Sequence, residues 1–405
     1  MSIFREIPPT AGLPLYARDL LSAFLKRNQP GSLEEDFKRY LGVSYAAVTY
    51  SGTAAFYIIL EALKKLSPRK TVIIPSFVCP LIPLAIKRAG LKVLACDINK
   101  DNFNFEITQL KELCLRNNDI LAVVPVHLAG IPVDIQAIQN ITKENGIFII
   151  EDCAQSLGAK YQDKFAGTLG DFAFFSLCRG KGLTTYEGGV IVTGLKFAPL
   201  IDNEINRLVK TNPLSEFLKV LELFGYWIFY RPLLFWFVFR LPQAFWQAQG
   251  KAEKAFIEYF SVDFPLHKVS GIRKNTAHAA FGRLESELDK QRKVALDYIA
   301  LLKGVAGIRL ITEPSGSSSN YPYLTLVFDE TRNRDKAFNI LNNSGLGVSL
   351  IYLFAITDYG YLKDIVGGKV CPNAQAIARN HITLTTSTFL SQKDIRSVTE
   401  RLKSI

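Results

Sequence analysis

The sequence predicts an α/β fold with a mostly parallel central sheet and a smaller C-terminal α/β domain. Three observations carry this. Residues 45–200 alternate short apolar runs with helix-like stretches, residues 197–265 break that rhythm with aromatic-rich sequence, and residues 266–405 resume it on a smaller scale. Alternating strands and helices build parallel sheets covered on both faces. A chain of 405 residues is too long for one ordinary core, so more than one domain is expected. The boundaries read as 1–196, an apolar helical insertion over 197–265, and 266–405.

The strands are expected at Thr71–Pro75, Lys92–Cys96, Leu121–Val126, Ile147–Glu151, Phe172–Ser176 and Val190–Thr193. Each is rich in Val, Ile or Phe and bounded by Gly, Pro, Asp or Asn. Thr53–Leu66 and Cys79–Ala89 read as helices between them. In the C-terminal part, a long helix over Ala277–Leu302 precedes a strand at Tyr323–Phe328. Helices follow at Arg334–Asn343 and Gln392–Lys403.

The stretch 217–246 is strongly apolar, but Lys219, Glu222, Arg231 and Arg240 interrupt it and Pro232 divides it. A membrane-spanning helix needs about 20 nearly uncharged residues, so two amphipathic pieces meeting at Pro232 are expected. Such a face packs on the protein itself or across a dimer interface. The competing reading is peripheral docking on anionic lipid through Arg231, Arg240, Lys251 and Lys254; packing is favoured.

Composition narrows the function. Hydrophobic residues at 48% and charged residues at 21% describe a folded globular chain. The net charge of +11 favours anionic partners such as phosphorylated substrates. No nucleic-acid-binding signature accompanies it. The cysteines at 79, 96, 114, 153, 178 and 371 show no metal spacing and no disulfide rhythm. They read as reduced thiols of a cytoplasmic protein, and no metal is expected. The N-terminus, with Arg5, Glu6, Pro8 and Pro9, does not read as a signal peptide.

In parallel sheets chemistry gathers at the carboxyl ends of the strands, which selects three motifs. Ser51-Gly52-Thr53 opens a helix whose free N–H groups make a phosphate seat; an ordinary N-cap is the alternative. Asp152, after the apolar run GIFII, could hold a ring nitrogen protonated, or simply cap the next helix. Lys181 lies between glycines after the aromatic run FAFFS and before Glu187-Gly188-Gly189. A desolvated lysine there forms Schiff bases with aldehydes; a solvated surface lysine is the alternative. The order of the three, each after a strand, favours chemistry.

With SGTAA, IIPSFVCP (73–80), VPVHLAGIPVD (124–134), IIEDCAQSLGA (149–159), the block 167–193, GLGVSLIY (345–352) and CPNAQAIA (371–378), the chain resembles the DegT/StrS-type sugar aminotransferases, in the branch with Arg-Gly-Lys around the lysine. The resemblance implies a fold-type-I transferase dependent on pyridoxal 5'-phosphate (PLP). It implies Lys181 as the Schiff-base and proton-shuttling lysine, Asp152 on the pyridinium nitrogen and Gln155 at the ring or its phenolic oxygen. Gly52, Thr53 and Ser176 would hold the phosphate. It further implies an amino-acid donor such as glutamate, a keto-sugar nucleotide acceptor in polysaccharide or amino-sugar biosynthesis, and a homodimer. Cys79 stands beside the ring where many relatives carry an aromatic residue. Gly271 stands where many carry an asparagine reaching the partner's phosphate, and Arg273 is either its substitute or a surface arginine. His127 is expected to be structural. A sugar dehydratase and a non-catalytic, regulatory or membrane-associated member remain alternatives.

Overall fold

The computed structural model describes residues 4–25, 31–242, 245 and 259–405. Its centre is a seven-stranded sheet in the order β1-β9-β8-β5-β4-β2-β3. These strands are β1 (Tyr45–Thr49), β2 (Thr71–Pro75), β3 (Lys92–Cys96), β4 (Ile120–Val123), β5 (Phe148–Asp152), β8 (Phe172–Ser176) and β9 (Gly189–Thr193). The run from β3 through β2, β4 and β5 to β8 is parallel. β9 runs antiparallel to both β8 and β1, so β1 points the same way as the parallel run. The carboxyl ends of β1, β2, β4, β5 and β8 therefore share one edge.

Five strand expectations hold to within two residues at their starts, and β4 differs at its far end. It stops at Val123 because Pro125, two residues on, has no N–H for the ladder. The helix expected from Cys79 begins at Leu81 behind Pro80, since the residue before a proline is held out of the α region. β1 escaped the sequence reading because YAAVT is a half-buried edge strand with a single Val and no Ile or Phe.

A four-stranded antiparallel sheet, β10-β12-β14-β13, forms the C-terminal part. It is built from β10 (Ile308–Ile311), β12 (Tyr323–Phe328), β13 (Val348–Ser349) and β14 (His381–Thr385). A third, small sheet joins the two regions by pairing β11 (Ser317–Ser318) with β6 (Lys160–Tyr161), beside β7 (Lys164–Phe165). The N-terminal segment also crosses over: Arg5 pairs with Asp394 at 2.8 Å, and Ile7 N–H donates to Gly345 O at 3.0 Å.

The long helix expected over Ala277–Leu302 is two helices, Gly271–Phe281 and Leu284–Leu302. Gly282 ends the first, and Arg283 between them turns its guanidinium to Asp19 and Pro14 O. The insertion forms the helix Pro213–Phe229, then a break, then Pro232–Phe235 running into a π-helical turn at Trp236–Arg240. Two pieces meeting at Pro232 were expected. Among the described residues no helix is long and apolar enough to cross a membrane.

Candidate active site

The Ser51-Gly52 turn reaches its position because two glycine motifs meet. A Cβ on Gly189 would lie 2.4 Å from Ser51 C and O, so only glycine lets the turn rest on β9. A Cβ on Gly52 would press on Ser176 Cβ at 3.3 Å. Gly52 and Ser176, expected to share the phosphate, are thus packed together. Ser51 is the N-cap of the helix Gly52–Leu66, its Oγ accepting from Ala54 N–H at 3.1 Å. Thr53 follows in the first turn, where helix N–H groups and the positive end of the dipole favour an anion.

At the end of β5, two adjacent acids take different tasks, because successive strand residues face opposite sides. Glu151 is fully buried. Its Oε1 accepts from Leu169 and Gly170 N–H at 2.7 and 2.6 Å, and its Oε2 from Gly167 N–H at 2.9 Å and His127 Nε2 at 3.0 Å. Three backbone donors and one imidazole satisfy a buried carboxylate that would otherwise be costly. Gly167, at φ +92°, helps this loop wrap the acid. His127 Nδ1 accepts from Val133 N–H at 3.1 Å, which places the ring proton on Nε2. The expectation that His127 is structural fits this arrangement. Glu151, His127 and Cys153 lie close enough for a metal, but these bonds already occupy the carboxylate and both imidazole nitrogens.

Asp152 faces the crevice. It is 4% exposed, and its Oδ1 accepts from Ala154 N–H at 2.9 Å. Burial pushes its carboxyl up to about 6, against the pull of that N–H and of Lys181. Lys181 is partly buried and its ammonium is lowered by desolvation, although Cys178, Cys79 and Asp152 oppose the shift. The structure therefore brings Lys181, Asp152 and Cys79 into mutual electrostatic range. Desolvation thus shifts the lysine toward the neutral amine that a nucleophile requires. The solvated-lysine reading fails on this burial.

Gln155 is oriented by two donors. Ala129 N–H reaches its Oε1 at 3.0 Å, and Tyr323 OH donates to the same oxygen. With Oε1 so committed, the NH₂ is the end left to face the crevice. Ala129 holds φ +56° to deliver its N–H, an uncommon conformation for a residue with a Cβ. Tyr352 completes this wall: burial raises its hydroxyl well above the usual range, and Cys79, Tyr323 and Asp152 act on it in the same direction. Tyr323, Tyr352, Ala129 and Glu151 were not singled out from sequence. A buried tyrosine needs a partner for its hydroxyl, which was the one available signal for Tyr323.

Arg273 corrects the sequence reading. It is fully buried rather than on the surface. Its Nε donates to Thr185 O at 3.1 Å, its Nη1 to Glu216 at 2.6 Å and its Nη2 to Glu187 O. Its donors tie the loop after Lys181 to the insertion helix, so they are not available to replace an asparagine at Gly271. Gly271 itself is exposed at a helix start.

The residues fit PLP: a buried carboxylate for a cationic ring nitrogen, a desolvated lysine for an aldehyde, and a glycine-lined helix start for a phosphate. The model of the DegT/DnrJ/EryC1/StrS aminotransferase family matches residues 22–195 and 268–403. The chain belongs to this family. The unmatched stretch between contains the insertion. GDP-perosamine synthase of Escherichia coli O157:H7 is 33% identical over 171 residues, covering 42% of this chain and 46% of that protein. The GDP-4-keto-6-deoxy-D-mannose 3-dehydratase of Yersinia pseudotuberculosis is 33% identical over 40% of this chain and 42% of its own length. The chain thus spans about half the length of these relatives. The uncharacterised protein MJ1066 of Methanocaldococcus jannaschii matches more broadly, at 23% identity over 92% of this chain and 88% of that one. The solved structure of Helicobacter pylori PseC superposes with a TM-score of 0.76 at 17% identity, covering 98% of both chains. DesI, solved in the presence of its TDP-sugar product, gives 0.76 at 20% identity over 99% of this chain and 93% of that one. The fold is that of the fold-type-I PLP aminotransferases.

Proposed function

We propose that this family member is a PLP-dependent aminotransferase that moves an amino group from an amino acid, glutamate in this reading, to a keto-sugar nucleotide. The observation that carries the proposal is the pairing of a desolvated Lys181 with the buried Asp152 in one crevice. Bound there, PLP supplies an electron sink. Asp152 would keep the ring nitrogen cationic through a charge-assisted hydrogen bond. Gln155 would turn its NH₂ to the ring or its phenolic oxygen, while Gly52, Thr53 and Ser176 would seat the phosphate. Lys181, in its neutral form, would take the proton from the donor's α-carbon in the first half-reaction and would deliver one to the acceptor's carbon in the second. The intact lysine favours amino transfer over dehydration. Adding PLP to the purified protein is expected to produce an absorbance band near the visible edge, and glutamate is expected to shift it. Silence in both steps would instead support a non-catalytic member.

The same reading makes the protein a cytoplasmic homodimer that uses its insertion as a contact. Leu214, Phe217, Leu218 and Leu221 are exposed at helical spacing along Pro213–Phe229, Leu214 by 70%, and Leu233 and Phe237 are exposed beyond the break; exposed apolar side chains gathered on one helix face mark an interaction site. Of the cations that would meet lipid, Arg231 is turned inward, donating to Leu15 O at 2.6 Å. Arg240 acts on the buried carboxyl of Glu6. Lys251 and Lys254 lie outside the described residues. Light scattering is expected to give a dimer for the full chain and a monomer after deletion of 217–246. Flotation of the full chain, but not of the deletion, with anionic liposomes would overturn that reading in favour of peripheral membrane contact.

A further inference from the structure

The N-terminal residues 4–15 form an irregular strap between the insertion and the loop that carries Lys181. Its backbone is bonded at short intervals. Glu6 N–H donates to Pro232 O of the insertion at 2.9 Å. Ala11 N–H donates to Pro322 O at 2.7 Å, next to the Tyr323 that bonds Gln155. Leu13 N–H donates to the carbonyl of Lys181 itself at 3.2 Å.

The contact beside Lys181 is close enough to require glycine on both sides. A Cβ on Gly12 would lie 2.8 Å from Gly180 Cα. Gly180, at φ +72°, has Thr10 Oγ1 only 2.5 Å from where its own Cβ would stand. Two tyrosines of the insertion close the strap onto this contact. Tyr230, 5% exposed, donates to Thr10 O at 2.8 Å and accepts from Gly12 N–H at 2.9 Å. One hydroxyl thus satisfies the two backbone groups on either side of Ala11. Tyr226 stacks on Tyr230 with ring centroids 4.4 Å apart, and its hydroxyl meets Tyr230 and the backbone N–H of Gly180. The path to the lysine is therefore short: Tyr230 holds Gly12, Gly12 rests on Gly180, and Leu13 holds Lys181 O.

We propose that Tyr230 is a positioning residue for Lys181: its hydroxyl clamps Thr10 and Gly12, and the clamped strap fixes the backbone from which the lysine reaches the crevice. This rests on the reading of Lys181 as the lysine that attaches PLP. A misplacement of about 1 Å at a reacting group can cost on the order of hundredfold in rate, so a clamp made of two hydrogen bonds has a large effect to exert. The insertion then supports the chemistry from behind as well as offering an outer face for contact.

Two measurements on the full chain test this: hydrogen–deuterium exchange without cofactor, and the pH profile of PLP attachment trapped with borohydride. Tyr230→Phe removes both bonds and keeps the ring. It is expected to speed exchange several-fold in the peptides spanning Thr10–Pro14 and Cys178–Leu183. It should slow PLP attachment at pH 7 several-fold and move the midpoint of the profile upward, because a loosened loop admits water and relieves the desolvation that lowers the Lys181 ammonium. Asp152, Cys79 and Cys178, which also act on that ammonium, are unchanged in the variant. Turnover should fall roughly ten- to hundredfold. Gly12→Ala, pressing on Gly180 from the strap side, should reproduce these changes, and Tyr230→Phe decides alone if the alanine variant fails to fold. Arg5→Gln, which frees the far end of the strap from Asp394, should reproduce none of them. An unshifted midpoint or unchanged exchange at Cys178–Leu183 in Tyr230→Phe, or equal changes in Arg5→Gln, would overturn the proposal and leave Tyr230 a structural residue. If wild type attaches no PLP, the aminotransferase reading fails, and exchange at Cys178–Leu183 alone decides the clamp.

Discussion

Lys181→Ala is expected to abolish borohydride-trapped pyridoxyl mass on the peptide spanning Arg179-Gly180-Lys181, and to lower turnover by roughly 10³-fold or more. Two roles disappear together, the covalent attachment and the positioned proton carrier, and the second alone contributes about 10²–10⁴. The fold should survive, because the substitution removes a charge whose burial is itself unfavourable: desolvation lowers the ammonium of Lys181. Below the ordinary lysine pKa the buried position disfavours the proton that the unfolded chain holds, so this penalty shrinks as pH rises toward the unfolded value near 10.4. The alanine variant should therefore match or exceed wild-type thermal stability at pH 7 in the absence of PLP. Trapping on another lysine with unchanged turnover would defeat the assignment of Lys181.

How much of this was legible in the sequence follows from what each signal encodes. β2, β3 and β8 match the residues expected because apolar runs bounded by turn residues are local information. The end of β4 and the start of the helix Leu81–Arg88 were set by Pro125 and Pro80, which are also local, and the proline rules account for them afterwards. The joining of SGT to Glu187-Gly188-Gly189 was not legible, because the steric demand at Gly189 comes from Ser51, far away in sequence. The division of labour between Glu151 and Asp152 was equally hidden. It depends on which strand face meets the 167–170 loop, and adjacent acids look alike in one dimension. Tyr323 and Tyr352 arrive from the C-terminal part, whose approach to the crevice is a tertiary fact. Arg273 shows the limit most plainly. A charged residue at a helix start reads as exposed, and only the carbonyls of Thr185 and Glu187 with the carboxylate of Glu216 make its burial affordable.

The second large effect is expected at Asp152, and it carries a pH signature. The carboxyl sits at about 6 in the protein, against about 3.9 in an unfolded chain. Between these values the folded state holds more protons than the unfolded one, so stability falls as pH rises from about 4 to 6 and the full penalty persists above. Binding a cationic ring nitrogen reverses the logic, since an adjacent positive charge favours the carboxylate. PLP affinity should accordingly be highest above pH 6 and fall as Asp152 takes up a proton below it. Asp152→Asn removes the charge but keeps the shape. It should lower turnover roughly hundredfold or more and weaken PLP binding by about ten- to hundredfold, the range for a hydrogen bond to a charged group. It should also flatten the pH dependence of binding near 6 and leave the cofactor-free protein at least as stable at pH 7. A variant that lost PLP affinity yet retained the wild-type inflection near pH 6 would place the titrating group elsewhere. Retention of both affinity and turnover would remove Asp152 from the ring nitrogen altogether.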